Sequence, residues 1–350
     1  MKALANIGAA LTSFILIALA LQRVDPLRGV PDVKAQVDRA RRHPAATSVF
    51  FGSSLTRRGV DPDIFDKRMA ENGIVSDSIN CGIDGMTMPE VLFMVDRVQI
   101  ELPKLQWVIL EASAIRTPAP RKDDDDLSKR DIYWRSGKLT WLVMKKTLTS
   151  DRTTDNVKEA ARSERVAFAL RLWLRRFVNL GRIAEFVDLT SRNPKTKATN
   201  PLSTIFEGRV VESNERGFLG IDSMMSAKER SDLPGNLARI PLFWNNARED
   251  KVGAEALGQL SNKLRQTGLQ MVLVQPPDTK RRPAPYPSLV RNGVVELNFM
   301  DPVIYPELYS PEHRYDSRHL NTKGARLFSL TLADALTTTY EARTRVRDAF

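Results

Sequence analysis

Cysteine and histidine are scarce in this chain. Its 350 residues include one cysteine, Cys81, and three histidines, His43, His313 and His319. A single cysteine excludes an internal disulfide and CxxC redox chemistry, and it leaves the compartment open. No Cys/His spacing suits zinc, no glycine-rich loop suits phosphate, and no DNA-reading motif is present. The 53 Lys+Arg against 42 Asp+Glu give a formal +11. That balance favours anionic lipid, an acidic glycan or nucleic acid. Without a reading motif, nucleic acid is not an expected partner. No metal or organic cofactor is implied, and no internal repeat is visible. The length allows one large domain or two small ones, either with a substantial core.

Long apolar runs are missing too, with one exception. Residues 3–21 are nearly continuously apolar, preceded by Lys2 and followed by Gln22-Arg23. The run is close to the length a helix needs to cross a bilayer and longer than a usual signal-peptide core. It is read as an uncleaved anchor in preference to a cleaved signal, although Ala18-Leu19-Ala20 suits a cleavage site. Arg23, Arg28, Lys34, Arg39, Arg41 and Arg42 follow it. Counted mechanically, that charge would keep the main domain in the cytoplasm.

The remaining pattern alternates strands and helices. Pro31 to His43 reads as a tether or short amphipathic helix. Ser48-Val49-Phe50-Phe51 suits a buried strand, followed by a Gly52-Ser53-Ser54 turn and a helix from Pro62 to about Asn72, signalled by Asp61-Pro62. Ile74 to Asn80 alternates like a second strand and enters a turn with Gly82 and Gly85. A helix from Pro89 to about Glu101 precedes a third strand, Trp107 to Leu110, which ends at Glu111-Ala112-Ser113. Beyond a helix from Gly253 to Gln266, Leu269 to Gln275 and Val294 to Phe299 read as further strands. A closing helix starts at Asn321 or Thr322. This rhythm predicts a parallel sheet covered on both faces.

Between the halves, Asp123 to Asp126 reads as a solvated loop, with calcium as the alternative. Ile132 to Asn246 reads as mainly helical, with Asn193 to Asn200 and Gly217 to Gly235 as loops. Its basic aromatic segments, Trp141 to Lys146 and Leu170 to Phe177, are first read as a helical stripe packed on the sheet domain. The alternative places them on a membrane surface or along a glycan groove.

Two stretches carry chemistry. A Gly-Ser-Ser sequence is by itself an ordinary turn. At the carboxyl end of a strand in an open α/β sheet, however, it exposes a serine where ligands bind. The second stretch is Tyr315-Asp316-Ser317-Arg318-His319-Leu320-Asn321, ahead of the closing helix. A serine hydroxyl is barely ionised at neutral pH and needs a base; His319 could serve, with Asp316 setting its tautomer. His43 and His313 have no such context and are read as surface residues.

A serine turn after the first strand, a glycine turn after the second and Asp-x-x-His-Leu-Asn before the last helix together resemble the SGNH (GDSL-like) hydrolase superfamily. The resemblance covers about residues 45–116 and 252–340. It implies a three-layer α/β/α domain of flavodoxin-like form with a parallel sheet, a helical insertion and an N-terminal membrane helix. Ser54 would be the nucleophile, with Ser53 where the family's motif has aspartate. His319 would be the base, oriented by Asp316. The second block matches Asn80 to Thr87, so the N–H groups of Ser54 and Gly85 would hold the oxyanion.

The third block departs from the pattern. Where Gly-x-Asn is usual, this chain has Glu111-Ala112-Ser113, with Ser113 standing where it could substitute as an oxyanion donor. Similar changes occur in membrane-anchored, cell-envelope branches, DltD-like proteins and alginate O-acetylation proteins among them. Those branches transfer acyl groups on envelope polymers outside the cytoplasmic membrane. The resemblance therefore implies a single-pass inner-membrane protein with a periplasmic or extracytoplasmic domain, against the charge count, because large domains can be translocated despite flanking charge.

The expected organisation is an anchor or signal over 1–22, a tether over 23–44, the first part of the domain over 45–116, the insertion over 117–250, the second part over 251–340 and a tail over 341–350. The expected substrate is an acylated glycan or a small acyl ester. The acceptor is water or a sugar hydroxyl, the latter implying a membrane-bound O-acyltransferase partner as acyl donor. The alternative from another class is a non-catalytic envelope protein that binds glycan or such a partner.

Overall fold

Three- to six-residue strands, most of them rich in β-branched, aromatic and other apolar side chains, build the centre of the molecule. A computed structural model describes residues 2–22, 30–115, 129–149, 159–177 and 210–348. Strands β1 (Ser48–Phe51), β2 (Ser78–Asn80), β3 (Trp107–Glu111), β6 (Gln270–Gln275) and β7 (Val295–Asn298) form one sheet in the order β2-β1-β3-β6-β7. Every pairing in it is parallel. The remaining strands, β4 (Val210–Ser213) and β5 (Leu219–Asp222), form a separate antiparallel hairpin.

Both faces of the large sheet are buried, as its unbroken apolar runs require. Phe50, Ile109, Val272 and Val274 pack with Phe65, Phe299, Phe328 and Leu332. Alternate residues Val49, Phe51, Val108, Leu110, Met271 and Leu273, which strand geometry turns to the other face, are buried as well. The protein is therefore α/β with a parallel five-stranded sheet, consistent with a flavodoxin-like fold. Strand order reverses between β1 and β3. In doubly wound sheets ligands bind outside the carboxyl ends of the strands at that point.

Local signals fix the covering helices. α1 (Lys2–Gln22) and α2 (Pro31–Arg42) open the chain, and α3 (Ser54–Gly59) follows β1 at once. α4 (Pro62–Glu71) starts on Asp61, whose carboxylate accepts from the Asp63 N–H at 3.1 Å. α5 (Met88–Val98) starts on Thr87, whose backbone N–H is bound by Glu90 at 2.7 Å. The helix Lys251–Gln266 is capped by Asp250, and the closing helix Thr322–Asp348 by Asn321, which accepts from the Gly324 N–H at 3.0 Å.

The structure differs from the sequence reading in four places. A helix begins at Ser54 itself, before the one signalled by Asp61-Pro62; it is six residues long and lacks an apolar repeat. The second strand is only Ser78–Asn80, because β1 begins at Ser48, opposite Ser78; the Asp77 carbonyl still accepts the Ser48 N–H at 3.1 Å, but residues 74–76 have no partner strand opposite them, and Val75 is 90% exposed. The segment expected to be mainly helical contains the β4–β5 hairpin. Finally, the stretch from Gly217 to Gly235, expected as loop, holds β5 and the helix Ala227–Leu237. Phe218 and Ile221 are buried there, and Ser226 caps the helix. The hairpin guards the sheet edge: the Arg216 carbonyl accepts the Asn80 N–H at 2.7 Å, and its guanidinium pairs with Asp63, Asp66 and Asp77.

The chain divides into two compact units, residues 1–35 with 116–197, and residues 36–115 with 198–350. In the first, the helices Gly137–Thr149 and Glu159–Phe177 pack together. Leu139, Val143, Phe168 and Leu172 are buried, whereas Trp141, Leu148, Leu170 and Leu174 are exposed. The apolar run expected as an anchor forms α1, but among the described residues no helix is long and apolar enough to cross a membrane. Asn6, Thr12 and Ser13 are the polar residues within its apolar run, and the Thr12 hydroxyl turns back onto the Gly8 carbonyl at 2.9 Å. The acidic run Asp123 to Asp126 and the stretch Asn193 to Asn200 lie outside the described residues.

Candidate active site

At the carboxyl end of β1 the chain turns through Gly52 and enters α3 with Ser54 as its first residue. Gly52 is required by close approach: a side chain there would collide with the Thr56 hydroxyl and lie 2.5 Å from Glu111 Oε2. Ser53 caps the helix, its Oγ accepting from the Leu55 N–H at 3.3 Å. The cap fixes the direction in which Ser54 leaves the turn.

Ser54 Oγ lies 2.7 Å from His319 Nε2, across 265 residues of sequence. The other ring nitrogen, His319 Nδ1, lies 2.8 Å from Asp316 Oδ2. Asp316 Oδ1 accepts the backbone N–H groups of Arg318 at 2.6 Å and His319 at 2.7 Å, which curls the loop so that the imidazole faces back onto its own aspartate. Burial pushes the Asp316 carboxyl up, but the hydrogen bond from His319, the field of its ring and the two N–H donors outweigh it, and the group sits at about 2. It is ionised at any neutral pH.

The loop is held from beneath. The fully buried Arg314 guanidinium donates to the carbonyls of Leu308 at 2.7 Å and Arg318 at 3.0 Å. Arg314 and Leu320 form a β-bridge, and Arg318 pairs with the buried Asp278 at 2.9 Å. Such a loop resists the roughly 1 Å displacements that cost catalytic groups their geometry.

The end of β3 is a separate polar network. Glu111 is buried. It accepts from Ser53 N at 2.7 Å, Ser53 Oγ at 2.8 Å and Thr56 Oγ1 at 2.8 Å, and it pairs with Arg281. Burial opposes its charge, but Arg281 and the two hydroxyls prevail and hold the carboxyl below its ordinary range. Ser53 thus connects the turn before Ser54 to a carboxylate supplied by another strand.

The structure brings Ser54, His319 and Asp316 together. Gly85 lies in the loop after β2 with φ +70°, a conformation only glycine adopts without strain. Its neighbour Asp84 pairs with Arg58 at 2.6 Å and Arg57 at 3.5 Å, both on α3. At the end of β2 the Asn80 side chain accepts from Gly82 N at 2.9 Å and donates to the carbonyls of Thr56 and Val60, at 2.8 Å each. Ser113 is bound through its backbone, its carbonyl accepting the Tyr286 hydroxyl at 2.7 Å. Among the described residues no hydrogen bond joins the Ser113 side chain to the triad. Sequence reasoning gave no role to Glu111 or Tyr315, although both stand in stretches it singled out, nor to Arg58 and Arg281.

Two surface cavities, of about 360 and 490 Å³, share Gly258, Asn262, Leu289 and Asn292 and contain no member of the triad. Among the described residues no group of three or more His, Cys, Asp or Glu side chains is placed to hold a metal ion. Chemically, the arrangement can pass a proton from a serine hydroxyl to an imidazole that an ionised carboxylate orients. No family model, no characterised protein and no solved structure matches this chain, so the functional reading stands on this geometry and on the sequence.

Proposed function

We propose that the chain is a serine-dependent acyl-ester hydrolase or O-acyltransferase of SGNH (GDSL-like) type, acting on an acylated cell-envelope or extracellular glycan or on a small acyl ester. The observation that carries this reading is the 2.7 Å contact between Ser54 Oγ and His319 Nε2, continued at 2.8 Å to Asp316.

Ser54 Oγ attacks the acyl carbon while His319 Nε2 takes its proton, and Asp316 stabilises the imidazolium that forms. The N–H groups of Ser54 and Gly85 receive the oxyanion, with the Ser113 hydroxyl as a further candidate donor. His319 then returns the proton to the departing alkoxide, leaving an acyl group on Ser54. In the second half His319 deprotonates water, giving hydrolysis, or a sugar hydroxyl, giving transfer; the activated oxygen attacks the acyl carbon, its bond to Ser54 Oγ breaks, and His319 returns the proton to Ser54. Transfer would require a membrane-bound acyl donor as partner.

The proposed location is the outer side of the inner membrane, with α1 as tether. The exposed apolar side chains of Ile7, Leu11, Phe14, Leu16 and Ile17 support an apolar environment for that helix. One observation favours a second reading, a non-catalytic binding protein on the same fold: Ser113 stands where the asparagine of Gly-x-Asn is expected, and among the described residues its side chain makes no hydrogen bond to Ser54, His319 or Asp316.

Turnover of an acetyl ester by the full chain, compared with Ser54→Ala and His319→Ala, separates the two readings. The esterase reading expects kcat to fall by about 10⁴-fold or more in each variant. Turnover unchanged in Ser54→Ala would refute it.

A further inference from the structure

Asp316 holds the His319 ring at its edge, but a second group holds its face. The Tyr315 ring lies parallel to the imidazole, with planes 9° apart and centroids 5.4 Å apart. Tyr315 is itself buried, and its phenol oxygen accepts a hydrogen bond from Arg58 Nη1. The other terminal nitrogen of Arg58, Nη2, donates to Asp84 Oδ2 at 2.6 Å. Arg58 is buried, on α3, four residues after Ser54. Asp84 directly precedes Gly85, and Tyr315 directly precedes Asp316.

We propose that Arg58 is a positioning residue for the general base and the oxyanion loop. Its two-pronged guanidinium ties the nucleophile helix to Tyr315, and so to the plane of His319, and also to Asp84, and so to the turn carrying Gly85. This rests on reading Ser54, His319 and Asp316 as a triad. A planar fork with fixed donors suits the task better than an ammonium, which makes no comparable rigid bridge between two acceptors. The bridge keeps its character across the working range of pH. Burial works against the Arg58 charge, but Asp84 and Tyr315 raise its proton affinity, and the Tyr315 phenol, pushed up to about 12 chiefly by burial, keeps its proton. One helix and two loops from distant parts of the sequence are thereby held by one side chain.

The test uses the full chain with Arg58→Met, Arg58→Lys and Tyr315→Leu, read by acetyl-ester kinetics and by the proton resonance of His319 Nδ1–H. A nitrogen-bound proton held by Asp316 and shielded by Tyr315 gives a downfield signal in slow exchange with water. Positioning predicts that Arg58→Met and Tyr315→Leu lower kcat by about 10- to 100-fold while KM changes by less than about threefold. It also predicts that the resonance broadens into exchange in both. Arg58→Lys, which keeps the charge and loses the fork, should fall between wild type and Arg58→Met.

Tyr315→Leu leaves the Arg58–Asp84 pair intact and carries the test if Arg58→Met does not fold. Lower melting temperature with kcat and the resonance unchanged would overturn the proposal and leave Arg58 a structural residue. A wild type without Ser54-dependent turnover, whose His319 resonance is nonetheless lost in the variants, would remove the esterase reading and keep the positioning one.

Discussion

Two carboxylates close the ends of this site, and their surroundings assign them different tasks. Asp316 lies in a loop with its side chain 25% exposed and bonded to an imidazole that can gain and lose a proton. Glu111 lies at the end of β3 with its side chain 3% exposed and bonded to Arg281, which stays charged. Both are held below the ordinary carboxyl range despite burial. In the proposed reaction Asp316 therefore adjusts a group that changes charge. Glu111 holds a turn still. A carboxylate near a nucleophile acts on the chemistry only if its partner does.

The comparison is broken most severely at Asp316. Asp316→Asn keeps the shape but no longer selects the tautomer that presents a free Nε2 to Ser54, so kcat should fall by about 10⁴-fold. The same variant tests the electrostatics. A group at about 2 when folded and about 3.9 when unfolded stabilises the protein fully above the higher value. That contribution is lost as pH falls through about 2. Melting temperature followed from pH 5 downward should therefore drop more steeply in wild type than in Asp316→Asn.

A smaller effect, on stability more than on rate, is expected at Glu111. Glu111→Ala leaves the Arg281 guanidinium largely buried without its partner, which should cost about 3–5 kcal/mol in denaturant unfolding. Turnover per folded molecule should fall less than in Asp316→Asn, because the reacting base is untouched. Equal or greater loss of turnover in Glu111→Ala would erase the distinction between the two carboxylates. Paired replacement, Glu111→Met with Arg281→Met, should recover most of the stability.

The same contrast shows what the sequence revealed and what it hid. The meeting of Ser54, Asp316 and His319 was legible because each sits in a short, ordered pattern at a strand end or before a helix. The parallel sheet was legible because buried strands are unbroken apolar runs. Glu111 was not, since a carboxylate closing such a run reads as the start of a loop; only the fold brings Arg281, 170 residues later, onto it. α3 was hidden because six residues leave no periodicity to detect. The β4–β5 hairpin went unseen because its edge contacts, Arg216 with Asp63, Asp66 and Asp77, are charges that also suit a solvated loop. Arg58 and Tyr315 stand beside motif residues, but their contact is a matter of distance in space.

The most direct single measurement is mass spectrometry of the full chain after reaction with a small fluorophosphonate, in wild type and His319→Ala. The serine-triad reading predicts one covalent adduct on the peptide containing Ser54, absent or strongly slowed without His319. Folded wild-type protein that takes up no label, or takes it up elsewhere than Ser54, would contradict that reading.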